Sequence, residues 1–412
     1  MIIVGVGGGI AAYKACALVR HFTERGHEVR VIPTESALKF VGAATFEALS
    51  GNPVQTGVFE SIPEVPHVRL GQSADLVVIA PPTADLMARA AQGRADDLLT
   101  GTLLTARCPV VFAPAMHTEM WEHPATRANV ATLRERGAVV IEPASGRLTG
   151  KDTGAGRLPE PDEIGALADV LLEHPGALNR DLEGRRVVVS AGGTKEALDP
   201  VRYLTNRSSG KQGYALARLA AQRGAHVTLV AGNTVGLADP SAVDVVRIAS
   251  ALDLQAAMAE HAADADLVIM AAAVADYRPA DVATTKLKKG ADGKSEALES
   301  ITMIENPDVL AGLVAARRDG TLRSDAVIVG FAAETGDAAG SVLDYGRAKL
   351  RRKGCDLLVL NAVGDGRAFE VDENSGWLLG ADGGETALPL GSKTAMAARI
   401  LDAAVARVHA AR

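Results

Sequence analysis

One pattern, used twice, restricts the fold more than any other feature of the chain. Residues 1–14 read MIIVGVGGGIAAYK, and residues 185–196 read RRVVVSAGGTKE. In each, a short unbroken Val/Ile run passes straight into glycines. A run that is apolar on both faces belongs to a strand covered on both sides, which is the habit of parallel sheets. Glycine at the end of the run lets the backbone turn tightly and approach a neighbour or ligand. Parallel pairing demands a crossover after each strand, so each start commits the following chain to alternating strands and helices. A chain of 412 residues with two such starts is expected to form two α/β units in tandem, and its length alone allows two or three.

The alternation follows both starts. Strands are expected at 2–6, 28–32, 75–80, 109–115 and 138–143, then a Gly/Thr/Asp-rich loop over 144–161 and a helix ending near His174. The polar stretch EHPGALNRDLEGRR (173–186) reads as a linker. The expected organisation is therefore a first domain over 1–175, a linker over 176–185 and a second domain over 186–412. Strands of the second half are expected at 186–190, 226–232, 243–249, 266–275, 326–334 and 355–361. GWLLG and ETALPL can pair as a hairpin, and a final helix starts at about Ser392. The halves share an architecture, two open parallel Rossmann-like sheets, but no obvious repeat.

Composition removes several function classes. A formal net charge of −7 and a pI near 5.8 disfavour a general nucleic-acid binder. The longest uncharged apolar run, LVIMAAAVA (267–275), is far below the roughly 18 residues of a membrane span. The apolar start lacks a basic segment and is interrupted by Lys14 and Arg20, so it reads as strand then helix rather than as a secretory signal. Cys16, Cys108 and Cys355 are far apart and form no CxxC, which suits a reducing cytoplasm. Nine histidines without HExxH or HxH spacing give no sign of a protein-built metal site.

Ligands of an open parallel sheet bind beyond the carboxyl ends of its strands. Gly5, Gly7, Gly8 and Gly9 sit at such an end, but Ile10 stands where GxGxxG requires its third glycine. The second strand ends at Pro33-Thr34 without an acidic residue. A dinucleotide site is thereby disfavoured. A mononucleotide whose phosphate meets hydroxyls (Thr34, Ser36, Thr83) and helix N-termini fits better. Packing glycines and helix caps are the alternative reading of the same residues. PPTADL (81–86) and APAMHTEMW (113–121) place Pro and small residues where strands stop, suited to a flat ring lying on backbone. His67, in PHVRL, precedes an apolar segment and by itself reads equally as an ordinary loop histidine.

Together, GGGIAAYK, HVRL, PPTADL and PAMH resemble the motifs of the flavin-dependent cysteine decarboxylases. The resemblance implies a flavodoxin-like first domain and one FMN site, usually shared across subunits of a trimer. Gly7, Gly8, Gly9, Ile10, Thr34, Ser36, Thr83, Ala115 and Met116 would build that site. FMN would take hydride from the thiol-bearing carbon, CO2 would then leave readily, and His67 would be the catalytic base. Two departures stand out. The family's Asn after PAM is His117 here, whose neutral imidazole can still hydrogen-bond a substrate carboxylate. The cysteine common in the family's flap corresponds to Gly150, so the proton donor is Lys151, Asp152 or water, or the reductive step is impaired.

The second half resembles the phosphopantothenate–cysteine ligases more closely, through SAGGTKEALDPVRYLTNRSSGKQG (190–213), AAAVADYRP (271–279), KLKK (286–289), ENPDVL (305–310), GFAAET and YGRAKLRRKGCDLLVLN (345–361). Activating a carboxylate on a nucleotide triphosphate needs positive charge and N–H donors around the phosphates. Lys349 and Lys353 are four apart on an expected helix and share a face. Gly192, Gly193, Thr194 and the helix after Ser209 offer N–H groups. Read alone, the KLKK loop is a solvated charge run.

By resemblance, Asn206 holds an acyl-cytidylate and Lys286 serves the attack by cysteine. Ala272, Ala273, Pro307, Asp308, Phe331, Lys349 and Lys353 would surround CTP, with Asp276 near a Mg2+ ion held largely by phosphates and water. As a whole the chain resembles the bacterial bifunctional enzymes of coenzyme A biosynthesis. That implies ligation of 4'-phosphopantothenate with L-cysteine, decarboxylation to 4'-phosphopantetheine, and a dodecamer built from trimers and dimers. A first half that acts on another cysteine-containing substrate, or binds flavin without catalysis, is the alternative.

Overall fold

A computed structural model describes residues 1–57, 65–148, 152–288, 300–337, 340–362 and 373–410. The chain divides into two compact units, Met1–Leu178 and Asn179–Arg412.

The first unit is a five-stranded parallel sheet of β1 (Ile2–Val6), β2 (Val29–Pro33), β3 (Leu76–Ile79), β4 (Val110–Phe112) and β5 (Val139–Val140), in the order β2-β1-β3-β4-β5. Every residue of β1 and β3 is buried, as the unbroken Val/Ile runs require. The helix Ala15–Glu24 buries Leu18, Val19 and Phe22, one apolar stripe at helical spacing. The helix Ala84–Gln92 starts at Thr83, whose Oγ1 accepts the Leu86 N–H at 3.1 Å, and stops at Gly93 with φ +71. The chain adds strands first on one side of β1 and then on the other. The β1/β3 border is thus the point where an open α/β sheet leaves a crevice, as in the flavodoxin order. After β5 comes a separate antiparallel hairpin, β6 (Ala144–Arg147) with β7 (Thr153–Arg157).

The second unit holds an eight-stranded sheet. Its strands are β8 (Arg186–Ala191), β11 (His226–Ala231), β12 (Val243–Arg247), β13 (Leu267–Met270), β16 (Val327–Glu334), β17 (Leu357–Ala362), β18 (Glu373–Gly380) and β19 (Glu385–Ser392). The order is β12-β11-β8-β13-β16-β17-β18-β19. The first six are parallel and, counted along the unit, run 3-2-1-4-5-6, the Rossmann order, which reverses at β8/β13. β18 and β19 form the hairpin expected from GWLLG and ETALPL and join antiparallel to β17. Two small ribbons, β9 (Lys195–Ala197) with β10 (Tyr203–Thr205) and β14 (Tyr277–Pro279) with β15 (Met303–Glu305), stand outside the sheet.

Val188, Leu254, Val268, Leu313, Ile328 and Leu358 belong to one core cluster. The C-terminal helix Lys393–Ala410 packs against the helix Lys211–Gln222. Part of the stretch read as a linker packs on this unit: Leu182 is fully buried, and Arg185 Nη1 meets Asp266 Oδ1 at 2.8 Å. Arg223, also buried, bridges Asp181 and Asp402. The strand expected over 266–275 stops at Met270. Beyond it the backbone is taken by the β8 end instead of a neighbouring strand. Ala272 N donates to Ser190 Oγ (3.1 Å), Ala273 N to the Gly192 carbonyl (2.8 Å) and Ala275 N to Thr194 Oγ1 (3.0 Å).

Candidate active sites

In the first unit a cleft of about 380 Å3 opens beside the carboxyl ends of β1 and β3. The Gly7 N–H donates to the Pro81 carbonyl at 2.8 Å, which draws the two turns together. The three glycines then differ. A Cβ on Gly7 would stand 2.6 Å from the Pro81 carbonyl oxygen, and one on Gly8 2.3 Å from Ser36 Cβ, so both serve close packing. Gly9 has nothing within 4 Å of that position and lines the cleft with Ile10 and Thr83. Thr34 Oγ1 accepts the Ala37 N–H at 3.2 Å, as Thr83 does from Leu86. These hydroxyls therefore cap turns, yet each keeps its own O–H to donate. Gly7, Gly8, Thr34 and Ser36 lie outside the cleft lining itself.

Ala115, Met116 and His117 form part of the cleft wall. The β6/β7 hairpin is pinned to this turn. Met116 N donates to the Gly156 carbonyl at 2.9 Å, and Thr118 Oγ1 to the Ala155 carbonyl at 2.7 Å. Gly156, at φ +133, allows the approach, because a Cβ there would sit 2.2 Å from the Met116 carbonyl oxygen. From the hairpin and its flanks, Arg147, Leu148, Arg157 and Leu158 reach the cleft. Lys14, also in the lining, pairs with Glu160 at 3.0 Å, and Arg157 pairs with the same carboxylate. The result is an apolar slot with a basic rim, fitted to a flat ring carrying anionic groups.

His67 is not part of this lining. It stands on the helix Pro66–Ser73, with its side chain against Gly101 of the helix Leu98–Thr105, and its Nδ1 is buried without a partner. Gly150 and Lys151 lie outside the described residues. Among the described residues no cysteine lines the cleft.

In the second unit a cleft of about 740 Å3 gathers Asn206, Ala272, Ala273, Asp276, Pro307, Asp308, Phe331, Lys349 and Lys353. Two asparagines set its wall: Asn206 Nδ2 donates to the Val274 carbonyl (3.0 Å) and Asn306 Nδ2 to the Ala275 carbonyl (2.8 Å). The helix Val342–Lys353 presents Lys349, Arg352 and Lys353. Lys349 Nζ meets Glu334 at 2.8 Å, and Lys353 pairs with Asp308. Asp308 also caps the helix Val309–Asp319, its Oδ1 accepting the Ala311 N–H at 3.0 Å. Burial pushes the Asp308 carboxyl up, but the Lys353 ammonium, the Ala311 N–H and the Arg352 charge together hold it below its ordinary value.

A smaller adjoining pocket of about 130 Å3 shares Ala272, Ala273 and Phe331 and adds Ser208, Ser209 and the first turn of the helix Lys211–Gln222. Its N–H groups suit an anion.

Gly192, Gly193 and Thr194 line neither pocket. Gly192, at φ +80, packs against Asn233 and Thr234; Gly193 bridges to Ala273 and Asn233; Thr194 is fully buried, holding the Ala275 N–H. This turn shapes the loop that carries the site and does not face the clefts. Lys286 is exposed and lines neither pocket, while Leu287 beside it donates to Asp199 Oδ2 at 3.1 Å. Among the described residues no three His, Cys, Asp or Glu side chains converge as a metal cage. Arg352, Glu305 and Asn306 also line the larger cleft and were not singled out from sequence. The basic run LRRK was the signal for Arg352.

Residues 182–408 match the DNA/pantothenate metabolism flavoprotein C-terminal domain family, and residues 1–172 match the flavoprotein family. The chain is 69% identical over 404 residues to the coenzyme A biosynthesis bifunctional protein CoaBC of Mycobacterium tuberculosis, spanning 98% of this chain and 96% of that protein. The protein of the same name from Vibrio vulnificus is 42% identical over 403 residues, spanning 97% and 96%. Among solved structures, the C-terminal domain of a coenzyme A biosynthesis bifunctional protein CoaBC superposes with a TM-score of 0.45 at 34% identity. It covers 56% of this chain and 100% of that one.

Proposed function

The chain belongs to the family of coenzyme A biosynthesis bifunctional proteins, and from that premise we propose how its two clefts divide two successive steps. It is a decarboxylase and a ligase in one polypeptide. The second domain (186–412) joins 4'-phosphopantothenate to L-cysteine at the expense of CTP. The first domain (1–175) decarboxylates the 4'-phospho-N-pantothenoylcysteine so formed to 4'-phosphopantetheine. The observation that carries this reading is that each half has a cleft beyond the carboxyl ends of its parallel strands, β1 and β3 in the first and β13 and β16 in the second, each lined by the motifs of a different reaction.

The first cleft fits FMN. Gly9 leaves open space against the slot, Ile10, Ala115 and Met116 offer it apolar and backbone surface, and the phosphate would be met by the Thr83 hydroxyl in the lining and by those of Thr34 and Ser36 beyond it. When bound, FMN supplies the hydride acceptor that makes loss of CO2 easy. His117 donates a hydrogen bond to the substrate carboxylate, and the docked hairpin keeps water out. His67 acts as the base. It stands outside the cleft of its own chain, which supports a site completed by another copy, hence a trimer. Dimers of the second domain would then give a dodecamer. The scattered cysteines suit the cytoplasm.

In the second cleft, Phe331 with Ala272 and Ala273 borders the base, and Asn206 holds the activated acyl group. Lys286, on its loop, serves the attack by cysteine. The lining carries Asp276, Glu305 and Asp308 against Lys349, Arg352 and Lys353, a formal balance before any ligand enters. A triphosphate brings net negative charge to that balance. This supports Mg2+ beside Asp276, held mainly by phosphates and water. The test is mass spectrometry of the purified chain with 4'-phosphopantothenate, cysteine, CTP and Mg2+. Formation of 4'-phosphopantetheine is the expected result. Arrest at phosphopantothenoylcysteine would refute the assignment of the first half, and absence of any product would refute both.

A further inference from the structure

Lys349, Arg352 and Lys353 are spaced i, i+3 and i+4 on the helix Val342–Lys353, so all three face the large cleft of the second unit. Their electrostatic situations differ. Lys349 is engaged by Glu334 at 2.8 Å and Lys353 by Asp308. Arg352 is exposed, and among the described residues it has no hydrogen-bond or ion-pair partner. Its charge reaches Asp308 through space, but of the three lining cations it alone makes no direct carboxylate contact among the described residues. A planar guanidinium with five N–H donors matches the paired oxygens of a phosphate better than an ammonium does.

Arg351, one residue earlier, turns away. It lines a separate cavity with Arg347, Leu350 and Glu385, and so provides an internal comparison.

We propose that Arg352 is a nucleotide-binding residue that clamps the terminal phosphates of the triphosphate at the mouth of the cleft. Phe331 and the Ala272–Ala273 backbone lie on the side shared with the smaller pocket, where the base is placed. The exposed Arg352 rim is left to the most charged end of the nucleotide. The two lysines already share their charge with Glu334 and Asp308, whereas Arg352 has no direct contact to share. The inference rests on the reading of this cleft as a nucleotide triphosphate site.

The experiment compares CTP and CMP binding by titration calorimetry in the full chain and in Arg352→Gln, Arg352→Lys and Arg351→Gln. Wild type must bind CTP; if it does not, the nucleotide reading fails and this inference with it. Given wild-type binding, Arg352→Gln is expected to weaken CTP about 10- to 100-fold, the loss of one charge-assisted bidentate contact. It is expected to leave CMP affinity and the melting temperature unchanged. Arg352→Lys should recover part of the loss, and Arg351→Gln should bind both ligands as wild type does. Unaltered CTP affinity in Arg352→Gln, or an equal loss for CTP and CMP, would overturn the assignment.

Discussion

The glycine turn after β1 permits a test in which neighbouring substitutions have opposite signs. Gly8→Ala places a methyl 2.3 Å from Ser36 Cβ and 2.9 Å from the Ser36 carbonyl carbon. Neither atom is the loose end of a side chain, so the backbone must move. Overpacking of this kind costs about 1–3 kcal/mol, here toward the upper end. In a unit of this size each kcal/mol lowers Tm by about 2–4 °C, which gives a fall of roughly 6–12 °C. Gly9→Ala meets nothing within 4 Å, and its φ of −148 and ψ of 163 suit any residue. Restricting the unfolded chain then stabilises the flavin-free protein by about 0.4–1 kcal/mol, a rise of roughly 1–4 °C. Gly9 also lines the cleft, so the added methyl should weaken FMN about 10- to 100-fold.

Calorimetry of the flavin-free full chain, with the first-unit transition identified as the one FMN raises, reads the stability arm. Fluorescence titration with FMN reads the binding arm. A Gly9→Ala chain that melts as low as Gly8→Ala, or binds FMN like wild type, would refute the division of the glycines into packing and ligand-facing.

Three further outcomes follow from geometry. Asp97 caps the helix Leu98–Thr105 through the Thr100 N–H and pairs with Arg89. Burial raises its carboxyl, but those partners outweigh burial and hold it below its ordinary value. Its stabilisation is therefore complete above the ordinary carboxylate range and lost as pH falls through the depressed folded value, so Asp97→Asn should flatten the acid limb of the first unit's Tm-against-pH curve. Arg223→Ala deprives Asp181 and Asp402 of their buried partner and should destabilise the second unit by about 3 kcal/mol, measured by urea titration. Thr118→Val removes the donor to Ala155 and should raise KM for phosphopantothenoylcysteine about 2- to 10-fold with flavin retained.

Much of the fold could be read because parallel strands announce themselves. IIVGV and RVVVSA are buried along nearly their whole length. Elements whose pairing is set elsewhere were less legible. The β6/β7 hairpin is built from Ala, Ser, Gly, Thr and Arg, with little β-preference, and read as a loop; the Met116–Gly156 bond holds it. The small ribbons β9/β10 and β14/β15 are three residues per strand, too short for an alternation to register. Motif spacing gathered Asn206, Asp276, Phe331 and Lys349 into one cleft although they come from distant segments. It did not foresee that Gly192 and Gly193 line neither cleft, because a glycine that admits Asn233 and Ala273 looks in sequence like one that admits a phosphate. Arg352 was hidden in LRRK, since only the fold separates the basic side chain facing the cleft from the neighbour facing away.

The two oxygens of Asp308 are leased to different tenants: Oδ1 to the Ala311 N–H at the start of a helix, Oδ2 to the Lys353 ammonium. Eviction of the second tenant leaves the first in place. If the cleft takes a triphosphate as proposed, the lysine can turn from carboxylate to phosphate while the helix keeps its fastening, so the charges can rearrange without loosening the scaffold around them. A helix capped by a carboxylate with a single engaged oxygen would have coupled the two events, and any anion that drew the lysine away would have frayed the wall of the cleft.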